Sequence, residues 1–303
     1  MPTINNPALT PAPDEVMVGA WAMGALAALG RISGTRDAAE CLARFFDATR
    51  AMGASAGLYS VLIPEADGEL SSITLFACDP GFAHGFEIGA AVMHPWLRYA
   101  RQHTTAITGQ QLPVQGPADE AAVALARQHG FGHCLLVPIA AGADLGRTEL
   151  LCLGADADAE PAFGANEARP LRALAHALAA ELHGWFTLKL QASLLQEARL
   201  QPQDIQVLAW EWQGLSTKEI AHRTGMSIAA VDSRFQRLNF RLRCANRRAA
   251  ARRAAEYGLL QSVSYSTSPA QRPSLKSGDA AAQGYPAGAV SPPPRRSASQ
   301  PWR

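Results

Sequence analysis

The sequence predicts an α+β chain: an antiparallel sheet packed between helical layers over the first two-thirds, then an all-α bundle of four short helices. Three observations lead there. Strand-like apolar runs at 57–63, 72–77, 134–140 and 149–154 are bounded by turn material, including Pro64 to Gly68, Asp79 to Gly81 and Ala141 to Asp144, the punctuation of a sheet. Helical patterns lie before, between and after these runs, at 16–53, 81–102, 117–130 and 165–198, so helices are available to cover both sheet faces. Beyond 200 the strand signal stops, and capping residues and glycines recur at the intervals of short helices.

The elements follow in chain order. Residues 1–15, proline-rich and polar, read as a flexible N-terminus. Residues 16–190 form the first domain, an α-β-α sandwich. There Leu26, Leu29 and Ile32 fall on one helical stripe, and Cys41, Leu42, Phe45 and Phe46 continue with helical spacing. The long pattern at 165–198 sets Leu171, Leu174, Leu178, Leu182 and Trp185 on an apolar face. Residues 191–200 read as a linker and 201–262 as the second domain. Residues 263–303, rich in Ser, Pro, Ala and Gly, read as a disordered tail, with too little apolar surface to offset the entropy of ordering.

Composition narrows the class. Hydrophobic residues make up 48% of the 303, enough for real cores, which excludes global disorder. Five dispersed cysteines, Cys41, Cys78, Cys134, Cys152 and Cys244, form no CxxC pair and suit reduced thiols in the cytoplasm. The longest apolar run, 16–30, follows Asp14 and Glu15; it is shorter than the ~20 residues of a membrane span and has the wrong flank for a secretory leader. No membrane partner is expected. The net charge of +1 hides a segregation: residues 1–200 carry 12 Lys/Arg and 20 Asp/Glu, residues 201–260 carry 10 and 5, and the tail 5 and 1. That asymmetry directs the C-terminal part at a polyanion.

The pattern within 201–262 indicates which polyanion. Pro202 suits the first turn of a helix that buries Ile205, Val207 and Leu208, and Gly214 ends it. Ser216, with Glu219 three positions on, makes a capping box for a second helix, 217–224, whose Ile220 and Ala221 face inward. Gly225 breaks that helix. Ser227 caps a third, on which Val231, Phe235, Leu238 and Leu242 form one apolar stripe. Cap, short helix, glycine turn, cap and longer basic helix is the order of a helix-turn-helix. It leaves Asp232, Ser233, Arg234, Gln236, Arg237 and Arg241 outward, amides and hydroxyls for base edges and guanidinium groups for phosphates. A fourth helix, 247–257, adds Arg248, Arg252 and Arg253.

These residues resemble the LuxR-type helix-turn-helix. Leu200-x-Pro202, Val207-Leu208, Gly214-Leu-Ser216, Lys218-Glu219-Ile220-Ala221, Met226-Ser227, Ala230-Val231 and Leu242 follow the family's pattern across most of the second domain. The residues expected to meet DNA are Thr217, Lys218, Ser227, Ala230, Asp232, Ser233, Arg234, Gln236, Arg237 and Arg241. Asp232, Ser233 and Gln236 would reach base edges, while Thr217, Lys218, Arg234, Arg237 and Arg241 would sit on phosphates. The sequence departs from the pattern at Gln201, where Thr is usual, at Asp204 and Gln206, where Glu is common, and at Ala230, which replaces a Thr. Asp232 stands where a basic residue is frequent; an acid there repels phosphate but can accept from cytosine.

More weakly, residues 20–185 resemble the autoinducer-binding domain that precedes this motif in quorum-sensing regulators, an α-β-α sandwich enclosing an acyl-homoserine lactone. The run 126–138, ending in a strand and Pro138, and the run 93–101 around His94-Pro95 carry the likeness. Position by position, the family's ligand-gripping Asp falls on His94, its lactone-covering Trp near Gly109, and its Trp and Tyr four apart on Phe82 and Phe86. Its in-strand Gly falls on Cys134, and a hydroxyl-bearing position on Cys152. The resemblance thus implies Phe82, Phe86, His94, Cys134 and Cys152 as ligand-binding residues. A buried amide N–H left without an acceptor costs on the order of 1–3 kcal/mol, roughly a tenfold or greater loss of affinity. A neutral His94 could still accept through one ring nitrogen. The lactone, another small apolar ligand and ligand-independent action all stay open.

Other chemistry finds little support. There is no GxGxxG or Walker loop, no GxSxG elbow and no HExxH. His129, His133 and Cys134 are candidate metal ligands by type, but Gly130 and Gly132 argue against a helix that would align them. No catalytic residue, metal or cofactor beyond such a ligand is expected. The expected function is sequence-specific transcriptional regulation of the quorum-sensing type, by a solo regulator with altered or absent lactone response. It would bind double-stranded DNA as a homodimer, because one recognition helix reads few base pairs, and touch RNA polymerase if it activates. The other reading is a modulator that binds no DNA and pairs with a related regulator; it rests on Asp232 and the acidic N-terminal half.

Overall fold

Strands buried on both faces cannot alternate apolar with polar side chains, so they read as continuous apolar runs. The computed structural model describes residues 13–65, 70–86, 94–140, 146–156 and 169–260, and the three central strands of its sheet are of this kind, while the edge strands are half-buried. Strand β1 (Ala56–Pro64) lies between β2 (Leu70–Ala77) and β5 (Thr148–Ala155), and β4 (His133–Ile139) joins β5 to the two-residue β3 (Ile107–Thr108). Every pairing is antiparallel, in the order β2-β1-β5-β4-β3. The period of two then sorts side chains into two cores. Tyr59, Val61, Ile63, Leu135, Val137, Leu151 and Leu153 enter one; Leu58, Leu62, Cys134, Leu136, Leu150 and Cys152 enter the other.

Helices α1 (Pro13–Leu29), α2 (Ala38–Ala51) and α6 (Arg169–Glu197) contribute to the first core. Helices α3 (Pro80–Gly85), α4 (Pro95–Gln102) and α5 (Pro117–Gln128) contribute to the second. This is the predicted antiparallel sheet between helical layers. Gly154 on β5 allows the close approach of the segment before β4, because a Cβ there would lie 2.4 Å from the Phe131 ring. The first core also encloses charge. Glu149, fully buried, pairs with Arg147 at 2.6 Å and with His183 of α6 at 2.9 Å, and accepts from the Tyr59 hydroxyl. Arg147 donates onward to Thr187 at 3.1 Å.

The structure differs from expectation at several joints. The helical stretch predicted at 16–53 is two helices, with a break carrying Gly30 and Gly34 between them. The buried face of α1 runs through Ala25, Ala28 and Leu29 and continues to Ile32, leaving Leu26 47% exposed, and Leu42 and Phe46 are also exposed beside buried Cys41 and Phe45. The stretch predicted at 81–102 contains α3 and α4, with 87–93 outside the described residues. Strand β3 had no sequence signal. Residues 191–197, expected as linker, are the last two turns of α6: Leu190 and Leu194 are buried in the same core as the bundle, so the helix has a reason to continue. The expected flexible start and disordered tail fall, apart from 13–15 in α1, on residues outside those described.

The bundle comprises α7 (Pro202–Trp212), α8 (Thr217–Thr224), α9 (Ile228–Arg241) and α10 (Arg247–Glu256). Each start is fixed by the cap its sequence carries. Ser216 and Glu219 exchange backbone bonds at 2.8 and 3.3 Å, Ser227 Oγ accepts from Ala230 N–H at 3.2 Å, and Asn246 accepts from Ala249 N–H at 2.9 Å. The turn between α8 and α9 depends on Gly225, which at φ +69° occupies the left-handed region a side chain disfavours. Val207, Leu208, Ile220, Val231, Phe235, Leu238 and Leu242 close the core. No helix among the described residues is long and apolar enough to cross a membrane.

Candidate nucleic-acid interface and sensor site

A helix turns about 100° per residue, so the buried stripe of α9 determines what the opposite face offers. Val231, Phe235 and Leu238 point into the bundle. Asp232, Gln236 and Arg237 are exposed and Ser233 is half-buried, with Arg237 donating to Ser233 Oγ at 2.8 Å. Lys218 on α8 is exposed. Ser227 and Ala230 form the cap of α9. Thr217 accepts a hydrogen bond from Arg247, which also pairs with Glu211 at 3.1 Å and lies over the Phe235 ring. Arg247 thus ties α7, α8 and α9 together.

Arg234 and Arg241, read from the sequence as phosphate contacts, are engaged inside the bundle. Both pair with Asp204 of α7, itself almost fully buried: Arg234 Nε at 3.1 Å and Arg241 Nη2 at 2.8 Å. Asp204 also accepts from Gln201 N–H at 3.1 Å, and Arg241 donates to the carbonyl of Arg199 at 3.0 Å. The remaining exposed cations, Lys218, Arg223, Arg237, Arg243 and Arg248, form no ion pair within 4 Å among the described residues, though Arg223 lies over the Trp210 ring and near enough to Glu219 to help lower its pKa. These are what the bundle offers a polyanion. Sequence reasoning also passed over Phe240, which is 86% exposed on α9; its spacing from the apolar stripe was the available signal.

In the first domain the five residues expected to line a ligand site gather in the second core. Phe82, Cys134 and Cys152 are buried there, Phe86 packs against them, and the Phe86 and His94 rings lie 5.2 Å apart. Trp96 and Phe131, not among the expected residues, complete the cluster at 6.1 and 5.1 Å from Phe82. Gly109 stands beside Cys134, where a Cβ would lie 2.6 Å from the Sγ; the smaller residue accommodates the larger.

His94 caps α4: its Nδ1 accepts from Trp96 N–H at 3.4 Å. An acceptor Nδ1 places the ring proton on Nε2. Burial, the largest cause, pulls the His94 pKa down to about 4, with Asp119 opposing the shift and Arg98 adding to it. Arg98 and Asp119 form a two-pronged pair that links α4 to α5. Asp119 also accepts from Gln115 N–H at 2.6 Å, and its carboxyl is held below the usual range, first by Arg98. His129 instead meets Asp79 at 3.2 Å. Among the described residues no three His, Cys, Asp or Glu side chains are grouped to hold a metal ion.

No family model and no curated protein matches this chain. Solved structures do. The chain is similar to Escherichia coli SdiA at 14% identity and a TM-score of 0.56, over 80% of this chain and 98% of that one. It is similar to SdiA in complex with octanoyl-rac-glycerol at 14% identity and a TM-score of 0.56, over 78% and 95%. A similarity of 17% identity and a TM-score of 0.44, over 56% and 95%, is found to CepR2 from Burkholderia cenocepacia, an N-acylhomoserine lactone-dependent LuxR-family transcription factor. With SdiA the likeness spans sandwich and bundle. The protein has the fold of SdiA.

Proposed function

We propose that this chain is a transcriptional regulator of the LuxR type that reads double-stranded DNA as a homodimer through the outward face of α9. One observation carries the reading: a capped short helix, a left-handed glycine and a capped longer helix present Gln236 and Arg237 outward with Ser233 half-buried beside them, in a bundle whose Lys218, Arg243 and Arg248 are also exposed. Amide and hydroxyl groups suit base edges, and free guanidinium and ammonium groups suit phosphates. The test is an electrophoretic shift of the full chain on promoter duplexes over a salt series. Phosphate-led binding gives an affinity that falls steeply and linearly in log–log form; absence of binding to any duplex in dilute buffer would overturn the reading and favour a partner-only modulator.

The cluster around His94 is its sensor site. With Nδ1 engaged by the helix cap, the ring's other edge donates rather than accepts, so it favours a carbonyl or ester oxygen over the amide N–H that a carboxylate would hold. The ligand class is therefore a small apolar chain bearing an oxygen acceptor, and response to acyl-homoserine lactones is weakened or absent. Mass spectrometry of protein purified from cells grown with and without short- and long-chain lactones checks this. Stoichiometric retention of a lactone would sink it. Solo action, cytoplasmic location and contact with RNA polymerase during activation belong to the same proposal.

A further inference from the structure

Phe240 is the most exposed large hydrophobic side chain among the described residues. It follows Val231 by nine residues, about two and a half turns, so its ring points directly away from the core that Val231, Phe235 and Leu238 enter. It therefore emerges on the same side as Ser233 and Gln236. From Ser233 to Phe240 the helix advances roughly 10 Å, within the ~12 Å breadth of a B-form major groove. A ring kept wet forgoes the gain of burial, and among the described residues no other aromatic ring packs on this one.

We propose that Phe240 is a specificity-determining residue of the recognition helix, packing on the 5-methyl group of a thymine. The inference rests on the DNA-binding reading above. In the major groove the thymine methyl is the apolar feature that base pairs present, and aromatic or aliphatic side chains are its partners. Charge favours DNA over a second copy of the chain as the occupant. Gln236, Arg237 and Phe240 share one depression of about 630 Å³ beside α9 with Arg234, Arg241, Gln201 and Asp204, three guanidinium groups against one carboxylate, and Lys218 and Arg243 are exposed on the same domain. Even with Asp232 exposed on the same helix, two such faces brought together would set a net positive charge against itself, whereas a duplex supplies the opposite sign.

The experiment selects a duplex from a random pool with the full chain, then replaces each thymine in turn by deoxyuridine, which removes the methyl group alone. One thymine per half-site should weaken wild-type binding about fourfold when replaced, the worth of one methyl group withdrawn from water. Phe240→Ala should bind the thymine duplex about as weakly as wild type binds the uracil duplex and be indifferent to the exchange, while Phe240→Leu keeps part of the sensitivity. Because the ring is outside the core, thermal unfolding of Phe240→Ala should match wild type. If wild type binds the selected duplex and no thymine distinguishes it from Phe240→Ala, the methyl contact is overturned and DNA reading stands. If Phe240→Ala instead halves the oligomer mass with no thymine dependence, the ring is a protein contact and the proposal fails. If no duplex is enriched at all, the DNA-binding reading has failed first.

Discussion

His94 caps a helix with a neutral ring, and that neutrality has a pH consequence. Its folded pKa of about 4 lies below the ordinary 6.5, so on acidification the unfolded chain takes up a proton that the folded chain refuses. Stability is complete above pH 6.5 and declines as pH falls from there toward 4, by about 3 kcal/mol in all at 1.36 kcal/mol per pKa unit. His94→Asn keeps a capping acceptor without the titration. Urea unfolding at pH 7 and pH 4.5 should show a loss for wild type that the variant largely lacks; equal losses would assign the slope to another group. On α9, two adjacent residues separate positioning from reading. Arg237→Ala should weaken binding to every duplex and lower the salt slope by about one, whereas Gln236→Ala should relax base choice at one position with the slope intact. If both variants behaved alike, the helix would not lie in the groove as argued.

At the scale of elements, α9 is held by Asp204. That carboxylate satisfies Arg234, Arg241 and the N–H of Gln201, the residue that caps α7, together. Asp204→Ala strands two partly covered guanidinium groups and should cost about 2–3 kcal/mol in chemical denaturation, while Arg237→Ala leaves stability unchanged; no difference between them would make the Asp204 cluster ornamental. This cluster marks where legibility ended. Caps and glycine breaks are local chemistry, so all four bundle helices could be read within a residue or two of their observed ends, and strands buried on both faces announced themselves as apolar runs. A pairing across elements has no such signature. Arg234 and Arg241 lie on the flank of α9, roughly 60–80° from Val231, near enough to α7 to be taken by an acid thirty residues away in sequence. Counting them as outward used the helix period but not the neighbour. Strand β3 escaped for the opposite reason: two residues carry no period at all.

For the whole molecule, the segregation of charge has a meeting point. Glu65, just after β1, accepts from Arg253 of α10 at 2.8 Å and from the Tyr257 hydroxyl at 3.2 Å. The Tyr257 hydroxyl is held above its usual pKa, first by burial and then by the Glu65 charge. Beside this pair Gln191 of α6 donates to the Gly258 carbonyl at 2.8 Å, and Gly258 is confined by Thr187, 2.8 Å from where a Cβ would stand. The acidic sandwich therefore holds one arginine of the basic bundle through a contact that is only partly screened. Glu65→Gln preserves the shape and one acceptor while removing the charge. The loss, about 1 kcal/mol for a pair at the covered edge of the surface range, should speed amide exchange in 247–260 about fivefold and leave the β1–β5 ladder unchanged. Because Arg253 is then released and one negative charge is gone, affinity for duplex DNA should rise two- to threefold at low salt, as roughly expected for a single charge, and the gain should vanish as salt is raised. A variant with faster exchange and unaltered DNA affinity would mean that the contact fastens the two halves without restraining the bundle's charge; a variant with neither change would mean that the hydrogen bond from Gln191, not the ion pair, holds α10 in place.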